Sequence, residues 1–254
     1  MLVAITRAIS PAIVHCELTH QPRVVIDFEL ACAQHQQYER RLAEAGCTVE
    51  RLHTTSDLPD SVFVEDIAVV FAELAIVTRP GAESRRRETP AVRKALAQYR
   101  TLQDIDAPGT LDGGDVLVMG HRVFVGRSRR TNPEGIEQLR RIVEAHEYQV
   151  VSVPVERCLH LKSAVTGISD DTILINRRWV DADAFSSLSL IDVDESEPGA
   201  ANALRIGHDI IFPAAYRKTA AHLEARGFRM RLVDVGELTK AEGAVTCCSL
   251  VFQA

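Results

Sequence analysis

Gly243-Ala244-Val245-Thr246-Cys247-Cys248-Ser249-Leu250-Val251-Phe252 reads as a buried strand, because small and apolar residues fill it and Val, Thr and Phe favour a pleated backbone. Neighbouring side chains of a strand point to opposite faces, so Cys247 and Cys248 are driven apart, one toward a cavity and the other into packing. Four earlier stretches begin alike, at residues 61–71, 110–119, 159–166 and 201–206. Each is followed by a second strand, a helical segment and a third strand. The helix is plainest in the second copy, where Asn132 suits the N-cap, Pro133 the first helical position, and Ile136, Leu139, Ile142 and Val143 form an apolar stripe. The stretch at 243–252 has no such continuation. Its missing pieces stand at the other end of the chain: a strand at 2–6, a helix at 34–45 and a strand at 48–52.

The equivalent positions of the five copies are Asp66, Asp112, His160, Asn202 and Cys247, at spacings of 46, 48, 42 and 45 residues. A period in this range marks radial or stacked repeats, and five copies with one shared between the termini suit a ring, which needs no capping repeats. The expected fold is α/β, a five-bladed propeller of ββαβ repeats around a central channel, in one domain over residues 1–254. The first strand of each repeat then lies nearest the axis, and the five equivalent residues converge on one cavity.

Composition narrows the function classes. The 254 residues include 35 acidic and 29 basic side chains, a formal net charge of −6, which argues against nucleic acid as the partner. No apolar run approaches the ~20 residues of a bilayer span. Residues 1–13 lack the basic start, long apolar stretch and cleavage site of a secretory signal, so a cytoplasmic protein with no membrane partner is expected. The six cysteines (Cys16, Cys32, Cys47, Cys158, Cys247 and Cys248) form neither a compact disulfide framework nor a Cys-x-x-Cys metal pattern. Four of them read as small core residues, and no metal or other cofactor is expected.

The converging residues suggest a chemistry. A thiol becomes a nucleophile where a base or a positive charge favours its thiolate. His160 can carry a proton near neutral pH, and Asp112 can orient and charge-stabilise the imidazole. Asp60, Glu65 and Asp66 place three carboxylates within seven residues, a cluster that suits a planar cation such as a guanidinium. Arg85 and Arg130, in loops after second strands, could grip a carboxylate at the far end of the same small molecule, although loop arginines alone more often carry solvated charge. Gly113-Gly114 fits no phosphate-binding spacing and reads as a close backbone approach at the cavity.

Five strings resemble the dimethylarginine dimethylaminohydrolase family of the guanidine-modifying (pentein) superfamily, with its five-bladed α/β propeller. They are Asp60-Ser61-Val62-Phe63-Val64-Glu65-Asp66, Thr78-Arg79-Pro80-Gly81-Ala82-Glu83-Ser84-Arg85-Arg86, Leu111-Asp112-Gly113-Gly114-Asp115-Val116, Leu159-His160-Leu161-Lys162 and Thr246-Cys247-Cys248-Ser249. They occur in family order and cover nearly the whole chain. The resemblance implies that Cys247 is the nucleophile rather than Cys248, with His160 as acid and base and Asp112 as its partner. It implies that Glu65 and Asp66 hold the guanidinium, that Asp60 and Phe63 belong to the substrate pocket, and that Arg85 and Arg130 bind the substrate carboxylate. Leu18 matches a lid residue, and Ala241 falls where a backbone contact to substrate is expected.

The implied activity is hydrolysis of Nω-methylated arginines to citrulline and a methylamine through a covalent Cys-thiouronium intermediate, on a small-molecule substrate, in a chain that could form a homodimer. Arginine deiminase, or another guanidino-compound hydrolase, uses the same chemistry and is the nearest rival. A ligand-binding propeller without turnover is the alternative from a different class.

Overall fold

A computed structural model describes residues 1–254, whose fifteen strands form five three-stranded sheets. Strand β1 (Leu2–Arg7) leads to helix α1 (Phe28–Glu44), capped by the Asp27 carboxylate, and to β2 (Thr48–Leu52). The next repeat runs β3 (Ala68–Val70), β4 (Leu74–Val77), α2 (Thr89–Leu96) and β5 (Thr101–Asp104). After it come β6 (Val116–Met119), β7 (Arg122–Arg127), α3 (Pro133–Glu144) and β8 (Gln149–Pro154). The Asn132 side chain caps α3 by accepting the Gly135 N–H at 2.8 Å, with Pro133 in the first turn, as the sequence predicts. The third repeat has a single helical turn, α4 (Leu161–Ala164), then β9 (Val165–Gly167), β10 (Thr172–Ile175) and β11 (Ser189–Asp192). The fourth has β12 (Leu204–Ile206), β13 (Asp209–Pro213), α5 (Arg217–Glu224) and β14 (Arg229–Val233). A short turn of helix, α6 (Gly236–Thr239), leads to the last strand, β15 (Leu250–Gln253).

All five sheets share one topology. The first strand of each is antiparallel to the second, and the second is parallel to the third. In the fifth sheet the order is β15-β1-β2, so the two ends of the chain complete one blade. The middle strands β4 and β13 are buried along their whole length, which is why they read as continuous apolar runs. The third strands, such as β5, are mostly exposed at the rim.

The packing closes the ring. Each junction between neighbouring blades holds its own apolar cluster. Val3, Ile5 and Phe252 meet Ala75, Val92 and Leu96 at one junction, and Val69 and Ile76 meet Val125, Ile136 and Leu139 at the next. Leu117 and Phe124 meet Val165, Ile173 and Phe185; Ile168 and Leu174 meet Ile210, Phe212 and Leu223; Ile206 and Val233 meet Ala4, Tyr38 and Leu42. Five sheets in an open row would share four junctions, so the fifth cluster is the closure. Each fully buried Leu, Ile or Phe contributes about 1.5–3 kcal/mol, so no capping repeat is needed to shield an apolar end face. No helix is long and apolar enough to cross a membrane.

The innermost strands are shorter than the sequence predicts, and the difference is systematic. Residues expected in strands at the axis lie instead in turns just ahead of them. Asp66 lies in the 3-10 turn Val64–Ile67 before β3, and Asp112 precedes the turn Gly113–Asp115 before β6. His160 is the N-cap of α4, and Cys247 sits in a turn closed by its own N–H on the Ala244 carbonyl at 3.2 Å. The expected strand at 243–252 is therefore corrected to Leu250–Gln253. Extended strands converging on one axis would crowd their backbones, whereas a turn lets one side chain from each blade reach inward.

Candidate active site

The turns converge because the backbone beside them is bare. A Cβ on Gly114 would stand 2.5 Å from His160 Nδ1 and 2.7 Å from Asp66 Oδ1, and one on Gly113 would stand 2.0 Å from the Glu65 carbonyl. The Gly113-Gly114 pair is thus the close approach expected from the sequence. Glu65 N–H donates to the Cys247 carbonyl at 3.1 Å, binding the first and last site turns together. From α1, Tyr38 Oη donates to the Val245 carbonyl at 2.7 Å and lies 2.7 Å from Ser249 Oγ, fixing the cysteine turn from behind. Asn202, the equivalent residue of the fourth repeat, braces the same turn. Its Oδ1 accepts the Thr246 N–H at 3.0 Å, and its Nδ2 donates to the Thr246 hydroxyl and the Lys162 carbonyl.

The pocket so formed is lined by Cys247, His160, Asp66, Asp60, Phe63 and Ala241, with Arg85, Arg130, Glu17 and Glu242 at its edges. As it stands, it has room for about one water molecule. Cys247 faces this space half-buried, while Cys248 is fully buried in the core with Tyr38 and Val245. The two thiols part as expected, through the turn rather than through strand alternation.

His160 Nε2 lies 3.0 Å from Asp112 Oδ2, and Nδ1 lies 3.7 Å from Asp66 Oδ1. Burial opposes a charge on the imidazole, but Asp66, Asp112 and Asp115 outweigh it and raise its pKa to about 9. Asp112 is itself fixed, accepting the Gly81 N–H at 2.9 Å through Oδ1. Burial pushes the Cys247 thiol far up, and the Glu65 and Asp66 carboxylates add to it. Burial also lifts Asp60 to about 6, against the pull of Arg85 and the Glu17 N–H. Asp66 feels burial too, yet His160 and Arg85 hold it below the usual carboxylate range. Ligand atoms of Asp66, Asp112 and His160 lie within 4.8 Å of one another. Their charges are already met by Arg85 and by the proton on His160, so a cation there would have to displace that proton.

Some expected site residues lie elsewhere than the sequence suggests. The Glu65 carboxylate turns away from the pocket, pairing with Lys162 Nζ at 2.5 Å and accepting the Thr246 hydroxyl at 2.7 Å. This pair lies across the channel and borders a separate cavity of about 320 Å³ at its other end, walled by Val69, Leu117, Met119, Leu204 and Val251. Arg85 is buried rather than free in a loop. It pairs with Glu88 at 2.9 Å and with Asp66, and donates to the Asp60 and Phe63 carbonyls, leaving Nη1 with one partner, Asp66. Arg130 donates to Thr19 Oγ1 at 3.0 Å.

Leu18 packs on the core cluster that holds Phe63 and Ala241 and does not itself line the pocket, in a stretch that meets the pocket through Glu17. That stretch is held by Asp60, which accepts the Glu17 N–H, and by Glu242, which accepts the N–H groups of Thr19, His20 and Gln21 at 2.5–2.9 Å. Glu242, Lys162, Thr246 and Asp115 were not singled out from the sequence. Asp115, Lys162 and Thr246 stand inside the quoted motifs, whereas Glu242 carries no local signal at all.

A family model described as N,N dimethylarginine dimethylhydrolase, eukaryotic, matches residues 19–196. The N(G),N(G)-dimethylarginine dimethylaminohydrolase of Streptomyces coelicolor is 42% identical over 248 residues, 97% of this chain and 95% of that one. Its namesake from Pseudomonas aeruginosa is 35% identical over 228 residues, 89% of this chain and 90% of that one. A solved structure of the Pseudomonas aeruginosa protein, a cysteine-to-serine variant complexed with citrulline, superposes with a TM-score of 0.94 at 33% identity and covers 98% of both chains. With likeness of that extent in both sequence and fold, the chain belongs to the dimethylarginine dimethylaminohydrolase family.

Proposed function

We propose that the chain carries out the family's hydrolysis of Nω-methylated arginines to citrulline and a methylamine, in the cytoplasm and without a cofactor, through a thiouronium adduct on Cys247. One observation carries the reading: the half-buried thiol of Cys247 and a carboxylate-paired histidine share a small pocket with two further carboxylates, Asp60 and Asp66. Such a pocket favours a cation over a neutral or anionic guest. The half-buried Arg130, with Arg85 behind it, would take the substrate's α-carboxylate once Thr19 yields its place.

The carboxylates that suppress the free thiolate prepare the reaction. A guanidinium entering between Asp60 and Asp66 offsets their field, and the thiol releases its proton to solvent water to become thiolate. The Cys247 sulfur then attacks the guanidinium carbon. His160, protonated below about 9, gives its proton to the departing methylated nitrogen as that C–N bond breaks. The neutral imidazole next takes a proton from water, whose oxygen attacks the thiouronium carbon. The C–S bond breaks with its electron pair going to Cys247, the hydroxyl proton passes to that sulfur as the ureido C=O forms, and neutral citrulline leaves. Asp112 keeps the imidazole oriented through both halves.

Citrulline release from asymmetric dimethylarginine, monomethylarginine and arginine, measured side by side, tests the proposal. Methylated substrates should be turned over faster. Arginine turning over fastest would overturn it in favour of a deiminase, and no citrulline from a folded enzyme would favour another guanidino ligand.

A further inference from the structure

Asp115 is fully buried three residues beyond Asp112 and lines no part of the pocket. Its Oδ1 accepts the N–H of Leu161, the residue directly after His160, at 2.8 Å. Its Oδ2 accepts the hydroxyls of Ser128 at 2.6 Å and Thr131 at 2.7 Å. Ser128 Oγ in turn accepts the N–H groups of Arg130 at 3.0 Å and Thr131 at 3.3 Å, and Thr131 Oγ1 accepts the Asp112 N–H at 3.1 Å. The carboxylate has no slack, since a Cβ on Gly126 would stand 2.4 Å from its Oδ1.

One buried carboxylate thus gathers the three backbone segments that present His160, Asp112 and Arg130. A buried charge is costly unless every lone pair is used, and this one spends its bonds on those segments. We propose that Asp115 is the positioning residue of the site, one oxygen setting the His160 turn and the other setting the Arg130 loop. The division of labour follows from the bonds. Through Leu161, Oδ1 governs where the imidazole stands for proton transfer. Through Ser128, Oδ2 governs where the Arg130 guanidinium stands for the substrate carboxylate. The proposal rests on the roles given above to His160 and Arg130.

Three variants separate the two arms. Asp115→Ala removes both, and kcat for dimethylarginine should fall about 100-fold with a raised KM, the cost of misplacing a catalytic group by about 1 Å. Asp115→Asn retains an oxygen for Leu161 but loses the oxygen that accepts the Ser128 and Thr131 hydroxyls, so kcat should return to within about fivefold of wild type while KM stays high. Ser128→Ala should raise KM about tenfold with kcat within about twofold, and this rise should vanish for a methylated guanidine lacking the α-carboxylate. Equal losses in Asp115→Ala and Asp115→Asn, or kcat and KM unchanged per folded molecule in all three, would overturn the proposal. A KM rise in Ser128→Ala that persists without the substrate carboxylate would overturn the Arg130 arm. Amide hydrogen exchange of Leu161 and Arg130 reads positioning without turnover. If wild type makes no citrulline, the catalytic reading fails; Asp115→Asn protecting the Leu161 amide while Asp115→Ala exposes it would still uphold the anchor, and exposure in neither would sink it.

Discussion

Replacing Asp112 by Asn tests the histidine assignment most directly. The imidazole of His160 is raised from 6.5 to about 9, which favours the charged ring by about 3 kcal/mol. Burial works against that charge, so the carboxylates supply more than the net amount, and the 3.0 Å bond to Asp112 is the direct contact among them. A hydrogen bond to a charged group is worth about 1.5–3 kcal/mol. Asn keeps an oxygen for the Gly81 N–H but turns its amide N–H toward Nε2, an arrangement only the neutral ring accepts. The His160 midpoint should therefore fall by about 1–2 pH units, measured by NMR titration of the imidazole in the free enzyme.

The sign carries over to stability. A group with a raised pKa contributes fully below 6.5, and its contribution is lost as pH climbs through about 9. Wild type should lose about 3 kcal/mol of unfolding free energy across that window and Asp112→Asn about half as much, read from urea titrations at the two ends. Citrulline formation should drop about 10²–10⁴-fold in the variant. A His160 midpoint still near 9 in Asp112→Asn, with turnover intact, would refute the pairing and the acid–base role built on it.

Cys247→Ser should abolish citrulline formation, whereas Cys248→Ser should keep it within about fivefold, because Cys248 only packs the core; mass spectrometry of quenched wild type should find the adduct on the Cys247 peptide, and an adduct on Cys248 would reverse the assignment. Lys162→Met leaves the Glu65 carboxylate buried without its cation and should cost about 3–5 kcal/mol in a denaturant titration. A second change, Glu65→Gln, should recover much of that loss, and no recovery would mean Lys162 matters through packing instead. Glu242→Gln weakens three charge-assisted bonds to the stretch beside the pocket, so limited proteolysis near residues 19–23 should quicken severalfold; an unchanged cleavage rate would place the hold on that stretch elsewhere.

The sequence carried the ring because its signal is periodic. Asp66, Asp112, His160, Asn202 and Cys247 recur at near-equal spacing, and a radial fold turns equal spacing into equal distance from the axis. What it could not carry was the local backbone at those positions. Val245 and Thr246 beside Cys247 favour a strand, but the convergence of five blades overrode that preference and made a turn. The fate of Glu65 was hidden for another reason. It sits beside Asp66 in the chain, yet its partner Lys162 lies 97 residues away, and only the closed ring brings that ammonium to it. Arg85 shows the same limit, since its partner Glu88 is one helical turn away but its burial depends on the Asp66 turn. Charge type was legible, and pairing was not.

The pairing explains why this pocket should run in one direction. Burial, with the Glu65 and Asp66 carboxylates adding to it, keeps the Cys247 thiol neutral, so a free enzyme holds little thiolate to be wasted on oxidants. A pocket lined with positive charge would ionise the thiol more readily, but it would also repel the guanidinium it has to attack. Placing carboxylates around the sulfur gives up reactivity in the empty site and makes it conditional on a cation. Citrulline carries a neutral ureido group where the substrate carries its charge. In the proposed cycle, hydrolysis of the adduct leaves no guanidinium to offset the carboxylate field further, the thiol regains its proton, and the product does not summon the thiolate that would attack it again.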